Sequence, residues 1–153
     1  MRAAEPVRNR GFFVMYSDGV RALQKELNAV MGRDLGRSVL FRFGFRCGKT
    51  SAKELGLVGQ GKKALVYLNE AWIEIGLARP VSIRERSGVV EVVLSNSLEA
   101  SHDGTGCDFT RGFLGGMYSE ITHVPHHCVE RECVSFGGER CVFVIREAEN
   151  GGK

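Results

Sequence analysis

Residues 129–143 read VERECVSFGGERCVF, with Cys133 and Cys141 flanking the turn-like SFGGER and Glu130 three residues before the first thiol. Extended as VPHHCVERE on one side and RCVFVIRE on the other, the stretch reads as two strands joined by a glycine-containing turn, a β-hairpin. It also reads as E-x2-C-x7-C, in which a carboxylate and two thiols return to one point where a strand ends and the chain turns. From spacing alone both readings stand: two buried thiols acting as small hydrophobes, or half of a metal site.

Working outward, the pattern upstream is helical. CDFTRGFLGGMYSEI opens with Asp108 as a cap and repeats Phe109, Phe113, Met117 and Ile121 on one face. Gly112, Gly115 and Gly116 interrupt it, and glycines inside a helix allow a backbone or a ligand to approach closely. Before that, VSIRER, a turn at Ser87-Gly88 and VVEVVLSNS alternate with period two and predict another hairpin. Further back, Leu65, Leu68, Trp72 and Ile75 mark one face of a helix that Gly76 and Pro80 end. A helix is expected from about Gly36 to Leu55, and another from Ser17 or Asp18 to Gly32, with Val20, Leu23, Leu27 and Val30 on its apolar face. Helices first, then two hairpins separated by a helix, imply an α+β fold with helices packed on one twisted antiparallel sheet.

The 153 residues suit a single domain, 1–153, with a disordered tail at 148–153. Hydrophobic residues are 43% and charged residues 25%, the balance of a folded globular chain. No apolar run approaches the roughly 20 residues a membrane helix needs. The opening MRAAEPVRNRGFFVMY has no small-residue cleavage site after its short apolar run, which implies a cytoplasmic protein. A formal charge of +3 gives no reason to expect nucleic-acid binding. Arg42, Arg46, Lys49 and Lys53 fall on one helical stripe, which serves equally as a solvated face.

Two motifs mimic nucleotide sites. GFRCGKTS, residues 44–51, has one residue too few between its glycines for a phosphate-binding loop, and reads instead as a Gly-x-x-x-Gly notch for a close helix crossing. GLVGQG has the glycines of a dinucleotide fingerprint in the wrong order and reads as a loop. No nucleophile elbow or opposed carboxylate pair stands out, so no catalytic residue is expected.

Five cysteines at positions 47, 107, 128, 133 and 141 in a reducing compartment suggest ligation rather than disulfides. For Glu130, Cys133 and Cys141 the attractive fourth ligand is Cys107, at the start of a helix whose dipole favours thiolate. His102, His126, His127 and Cys128 are alternatives, and Cys47 reads as a packed thiol. Three thiolates and a carboxylate suit zinc better than magnesium or calcium, and four protein donors make a structural site.

These stretches in this order resemble the 4-vinyl-reductase-like family of small-molecule-binding domains. The resemblance covers about residues 30–147 and rests on FRFGFRCGKTSA, VVLSNSLEA, CDFTRGFLGGMYSEI and VERECVSFGGERCVFVI. It implies one structural zinc per chain on Cys107, Glu130, Cys133 and Cys141. It also implies a TRAPP-like fold, similar to nitric-oxide-signalling ligand-binding domains and usually dimeric. The function it implies is binding or sensing a small apolar or aromatic, hydrocarbon-like molecule, with the signal passed to a separate regulatory protein. A pocket between helices and sheet is then expected to draw on Phe41, Phe43, Leu65, Leu68, Trp72, Phe113 and Met117. The alternatives are an assembly or scaffold subunit without ligand, and a reductase or accessory protein in tetrapyrrole metabolism.

Overall fold

A computed structural model describes residues 17–61, 63–74, 78–101 and 104–149. Helix α1 spans Ser17–Met31, α2 Arg33–Glu54 and α3 Lys63–Glu74. Strands β1 (Arg79–Arg86) and β2 (Val89–Ser95) follow, then α4 (Asp108–Thr122), β3 (His126–Glu132), a 3-10 turn at Val134–Phe136 and β4 (Cys141–Glu147). The expected order of helices and hairpins is therefore present, with β1 beginning at Arg79 and α2 three residues earlier than the sequence suggested.

Both hairpins join in one open antiparallel sheet of order β1-β2-β4-β3. β4 is central, and Cys141 through Ile145 are buried in an unbroken run, as a strand covered on both edges requires. Ser87 and Gly88 turn β1 into β2 with φ of 50° and 76°; positive φ at both central residues matches the right-handed twist of the flanking strands. β3 carries an irregularity between Glu130 and Glu132, so Arg131 drops out of the ladder with β4. Bulges of this kind re-aim side chains near functional sites.

One face of the sheet packs on α4, which packs in turn on α2. The crossing is set by interlocked glycines. A Cβ on Gly44 would collide with the Phe109 carbonyl, and one on Gly48 with that of Phe113. Reciprocally, Gly112 meets the Phe41 carbonyl and Gly116 that of Phe45. The P-loop-like segment is thus plain α2 helix, its glycines bare of side chains so that two backbones can touch. Val90, Val92, Leu94, Leu114, Met117, Ile121, Phe143 and Ile145 form the core between α4 and the sheet.

Two local expectations change. α1 does not bury its Leu23–Val30 face: both residues are exposed, while Gln24 is 4% exposed. The reason is geometric, since α1 packs mainly along α2 and a single neighbour covers only a narrow stripe. Asp108 is not the cap of α4 but its first helical residue, after Cys107. Among the described residues no helix is long and apolar enough to cross a membrane. Ile75, Gly76, His102 and the tail beyond residue 149 lie outside the described residues.

Candidate metal centre

Three chain turns converge where α4 begins. Cys107 precedes the first turn of α4, Cys133 precedes the 3-10 turn, and Cys141 opens β4 opposite Leu94. Their sulfurs form a nearly equilateral triangle, with Sγ–Sγ distances of 3.8 Å (107–133), 3.9 Å (107–141) and 3.8 Å (133–141). All the cysteines are free thiols. Glu130 completes the group: with one atom from each residue, the four donors lie within 4.8 Å of one another.

The loops are built to hold this arrangement. The Cys133 carbonyl accepts the N–H groups of Phe136 (3.1 Å) and Gly138 (3.0 Å), closing the turn that returns the chain to Cys141. Gly137 takes φ of 90° there, a conformation that glycine adopts without strain. The loop before α4 is stitched to the same turn: Gly104 N–H donates to the Ser135 carbonyl at 3.1 Å, and Ser101 N–H to Ser135 Oγ at 3.0 Å. From the helical layer, Gln24 Nε2 donates to the Gly106 carbonyl at 3.3 Å and Arg33 to that of Gly104 at 2.6 Å. Arg37 Nε donates to Asp108 at 2.9 Å, and Arg111 to the same carboxylate at 3.1 Å.

Glu99 performs the capping that Asp108 does not. Its carboxylate accepts Phe109 N–H at 2.8 Å and Thr110 N–H at 2.7 Å, satisfying two of the open donors at the start of α4. The residue is 1% exposed, and burial pushes its carboxyl up to about 7. Glu99, Gln24, Arg37 and Ser97, whose Oγ lies 3.5 Å from Cys107 Sγ, were not singled out as site residues from sequence. Glu99 belongs to the quoted VVLSNSLEA, but its target lies ten residues on, and no fixed spacing announces such a cap.

The electrostatics of the cluster are those of a cation site. Oε2 of Glu130 accepts the Cys107 N–H at 3.0 Å, while Oε1 is buried without a partner. An orphaned buried carboxylate oxygen is costly unless something positive meets it. Burial, with the neighbouring Cys133 thiol, pushes the Glu130 carboxyl up to about 7. Hydrogen bonding to Cys133 and Cys141, then burial, drives the Cys107 thiol up, whereas the Cys107 and Cys133 thiols draw Cys141 down to about 4. Together the three sulfurs keep one negative charge easily and resist further ionisation, as crowded donors do without a metal. Cys107, Glu130, Cys133 and Cys141 thus lie close together and could hold a metal ion.

The alternative ligands lie elsewhere. Cys128 is buried on β3 beside Gly115, and burial drives its thiol up. His126 Nδ1 lies 2.7 Å from the Val124 carbonyl, and His127 is exposed. Cys47 is half-buried on α2. Of the expected pocket residues, Phe113 and Met117 are packed in the core, and Leu65 lies half-buried against it. Phe41 faces Arg111, whose guanidinium carbon stands 4.4 Å from its ring centroid, and Phe43 is exposed. Leu68 and Trp72 are in α3, but their side chains lie outside the described residues. Two cavities border the site from outside. One, of about 280 Å³, touches Glu130 and Cys133; the other, of about 590 Å³, lies between α2 and α4 around Arg37, Arg42 and Arg111. On the basic stripe, Lys49 and Lys53 both pair with Glu120, at 3.2 and 3.4 Å.

Among curated proteins no sequence match is found. Solved structures do match. The phenol-responsive sensory domain of the transcription activator PoxR, with phenol, is 19% identical with a TM-score of 0.71, over 89% of this chain and 76% of that one. A vinyl-4-reductase family protein from Methanocaldococcus jannaschii is 23% identical with a TM-score of 0.62, over 92% and 85%. A trafficking protein particle complex subunit 3 from Naegleria fowleri, covalently bound to palmitic acid, is 12% identical with a TM-score of 0.59, over 87% and 95%. Such identities establish a shared fold. Residues 89–147, from the start of β2 to the end of β4, match the family model of the 4-vinyl-reductase domain and contain all four clustered donors. The chain carries a 4-vinyl-reductase-like domain, set in a TRAPP-like fold of helices on a four-stranded antiparallel sheet.

Proposed function

We propose that this protein is a zinc-stabilised sensory domain that binds a small apolar or aromatic molecule and signals through a separate regulatory partner. The observation that carries the metal half is the sulfur triangle. A tetrahedral zinc with bonds of about 2.3 Å to sulfur needs sulfurs about 3.8 Å apart, and the observed spacings are 3.8, 3.9 and 3.8 Å. The unpartnered Glu130 oxygen supplies the fourth donor. Thiolates with one carboxylate favour zinc over hard cations, and four protein donors leave a structural ion. Its role is to lock the start of α4 to the last hairpin.

The sensory half is supported by the family-model match and by the fold shared with a phenol-responsive domain. We assign the ligand seat to the apolar layer between helices and sheet, around Phe113, Met117 and Leu65, with Leu68, Trp72, Phe41 and Phe43 as its outer members. Exposed Leu35, Val39 and Phe43, at i, i+4 and i+8 along α2, support a homodimer built on that face. One observation favours the second reading, an assembly subunit without ligand. Phe113 and Met117 are 3% and 2% exposed, so the protein's own side chains fill the apolar layer.

Native mass spectrometry of untagged protein, purified without chelators or added metal, separates these readings. One zinc per chain in a dimer with additional organic mass is the expected result. A zinc-loaded dimer with no organic mass, even after incubation with phenol, supports the assembly subunit instead. Metal-free chains with every thiol free refute the zinc assignment.

A further inference from the structure

The cavity of about 280 Å³ beside the cluster is lined by Glu130, Arg131, Glu132, Cys133, Phe136 and Gly138. It reaches the cluster from one side only. Cys107, Cys133 and Cys141 are 0%, 4% and 0% exposed, whereas Glu130 is only half-buried and stands at the cavity wall. Glu130 is also the weakest of the four donors. Its Oε2 is committed to the Cys107 N–H, so one hard oxygen, Oε1, is left to face three soft sulfurs.

We propose that this cavity seats a small uncharged nitrogen or sulfur donor, which takes the metal position of the Glu130 carboxylate. The inference rests on the metal reading above and extends it from a closed structural ion to one with an exchangeable arm. In the exchange Glu130 keeps its electron pair and its charge, and Oε2 can stay on the Cys107 N–H. The incoming molecule supplies its own lone pair, and no proton or electron changes hands. Charge selects the class: three thiolates already over-neutralise a dication, so a neutral donor is favoured over a second anion. Shape selects within it. Phe136, 63% exposed, lies at the rim with its ring near Gly104 and Gly106, offering an apolar face to a flat heterocycle.

The test uses the full chain loaded with cobalt(II) and titrated with imidazole, with acetate as the charged counterpart. The expected result is a saturable one-to-one shift of the cobalt d–d bands with imidazole and none with acetate, while the thiolate-to-cobalt charge-transfer bands persist. Glu130→Ala should tighten imidazole binding by roughly tenfold, about 1.4 kcal/mol, because the competing carboxylate is gone. Phe136→Ala, a surface change that leaves the fold intact, should weaken it severalfold without altering the imidazole-free spectrum. Unmoved d–d bands under saturating imidazole, or an equal response to acetate, overturn this proposal and leave the structural metal standing. Absence of thiolate-to-cobalt bands from the start overturns the metal reading beneath it.

Discussion

The backbone N–H of Cys107 donates to Oε2 of Glu130 across 3.0 Å, so the start of α4 and the bulged strand β3 hold each other before any ion arrives. The bond turns one carboxylate oxygen away from service as a ligand and leaves the other buried and unpartnered. A metal at this point would therefore complete an assembly that hydrogen bonds already position, which differs from creating one out of mobile loops.

Removing one sulfur should expose that dependence. Cys133→Ser is expected to lose most bound metal and to lower Tm by roughly 10 °C or more, since metal affinity is part of the folding free energy. Cys47→Ser, on α2, should retain full metal content. Elemental analysis beside differential scanning calorimetry checks both, and unchanged metal in Cys133→Ser refutes the ligand assignment.

The helix crossing makes a separate prediction. In Gly48→Ala the new methyl meets the Phe113 carbonyl, which belongs to a backbone and cannot rotate away. The helices must part, at an expected cost of about 1–3 kcal/mol or more in urea denaturation. Thr50→Ala on the exposed side of α2 should fall within about 0.5 kcal/mol of the parent. Equal stabilities for the two variants would contradict the interlocked crossing.

Stability should change with pH in opposite senses with and without metal. Burial raises the Glu99 carboxyl from 4.5 to about 7, so the folded state holds this proton more tightly than the unfolded chain does. Its contribution is complete below about 4.5 and is lost as pH rises through about 7. Metal-free protein in chelator should therefore lose stability across that window, and Glu99→Gln should flatten the slope. In metal-loaded protein the ligands must be deprotonated, so stability should climb with pH. Denaturation curves collected across the window decide the matter, and a metal-free slope that Glu99→Gln leaves intact would remove Glu99 as its source.

Arg37 is the chief cationic tether between α2 and the site. It bonds a carboxylate that is 2% exposed, and Arg111 takes only one further bond there. Arg37→Ala should destabilise by about 1.5–3 kcal/mol, the range for hydrogen bonds to charged groups. Combined with Asp108→Asn, the losses should be clearly non-additive in a double-mutant cycle, because the two side chains share one interaction. Additive losses would show that the pair contributes no coupling.

Much of this molecule was legible because its signals are local. The period-two runs around Ser87-Gly88 and around the SFGGER turn specify strands wherever they fall, and the Phe109–Ile121 spacing specifies a helix, since side-chain direction repeats with the backbone. The paired glycines of α2 likewise announced a close crossing. The apolar face assigned to α1 failed for a complementary reason: periodicity reports which residues share a face, not how much of that face a neighbour covers. With α2 as its main support, α1 buries Gln24 and leaves Leu23 and Val30 in solvent.

By itself, then, the amino-acid order determined the elements, their succession and the E-x2-C-x7-C run, all of them properties of short stretches of backbone. Tertiary structure decided what meets across long gaps. It placed β4 beside β2, brought Cys107 to the hairpin thiols, made Glu99 the cap of α4 and opened a cavity at Glu130. These outcomes depend on the close approach of α2 to α4 and on the bulge in β3, which set distances that no sequence spacing encodes.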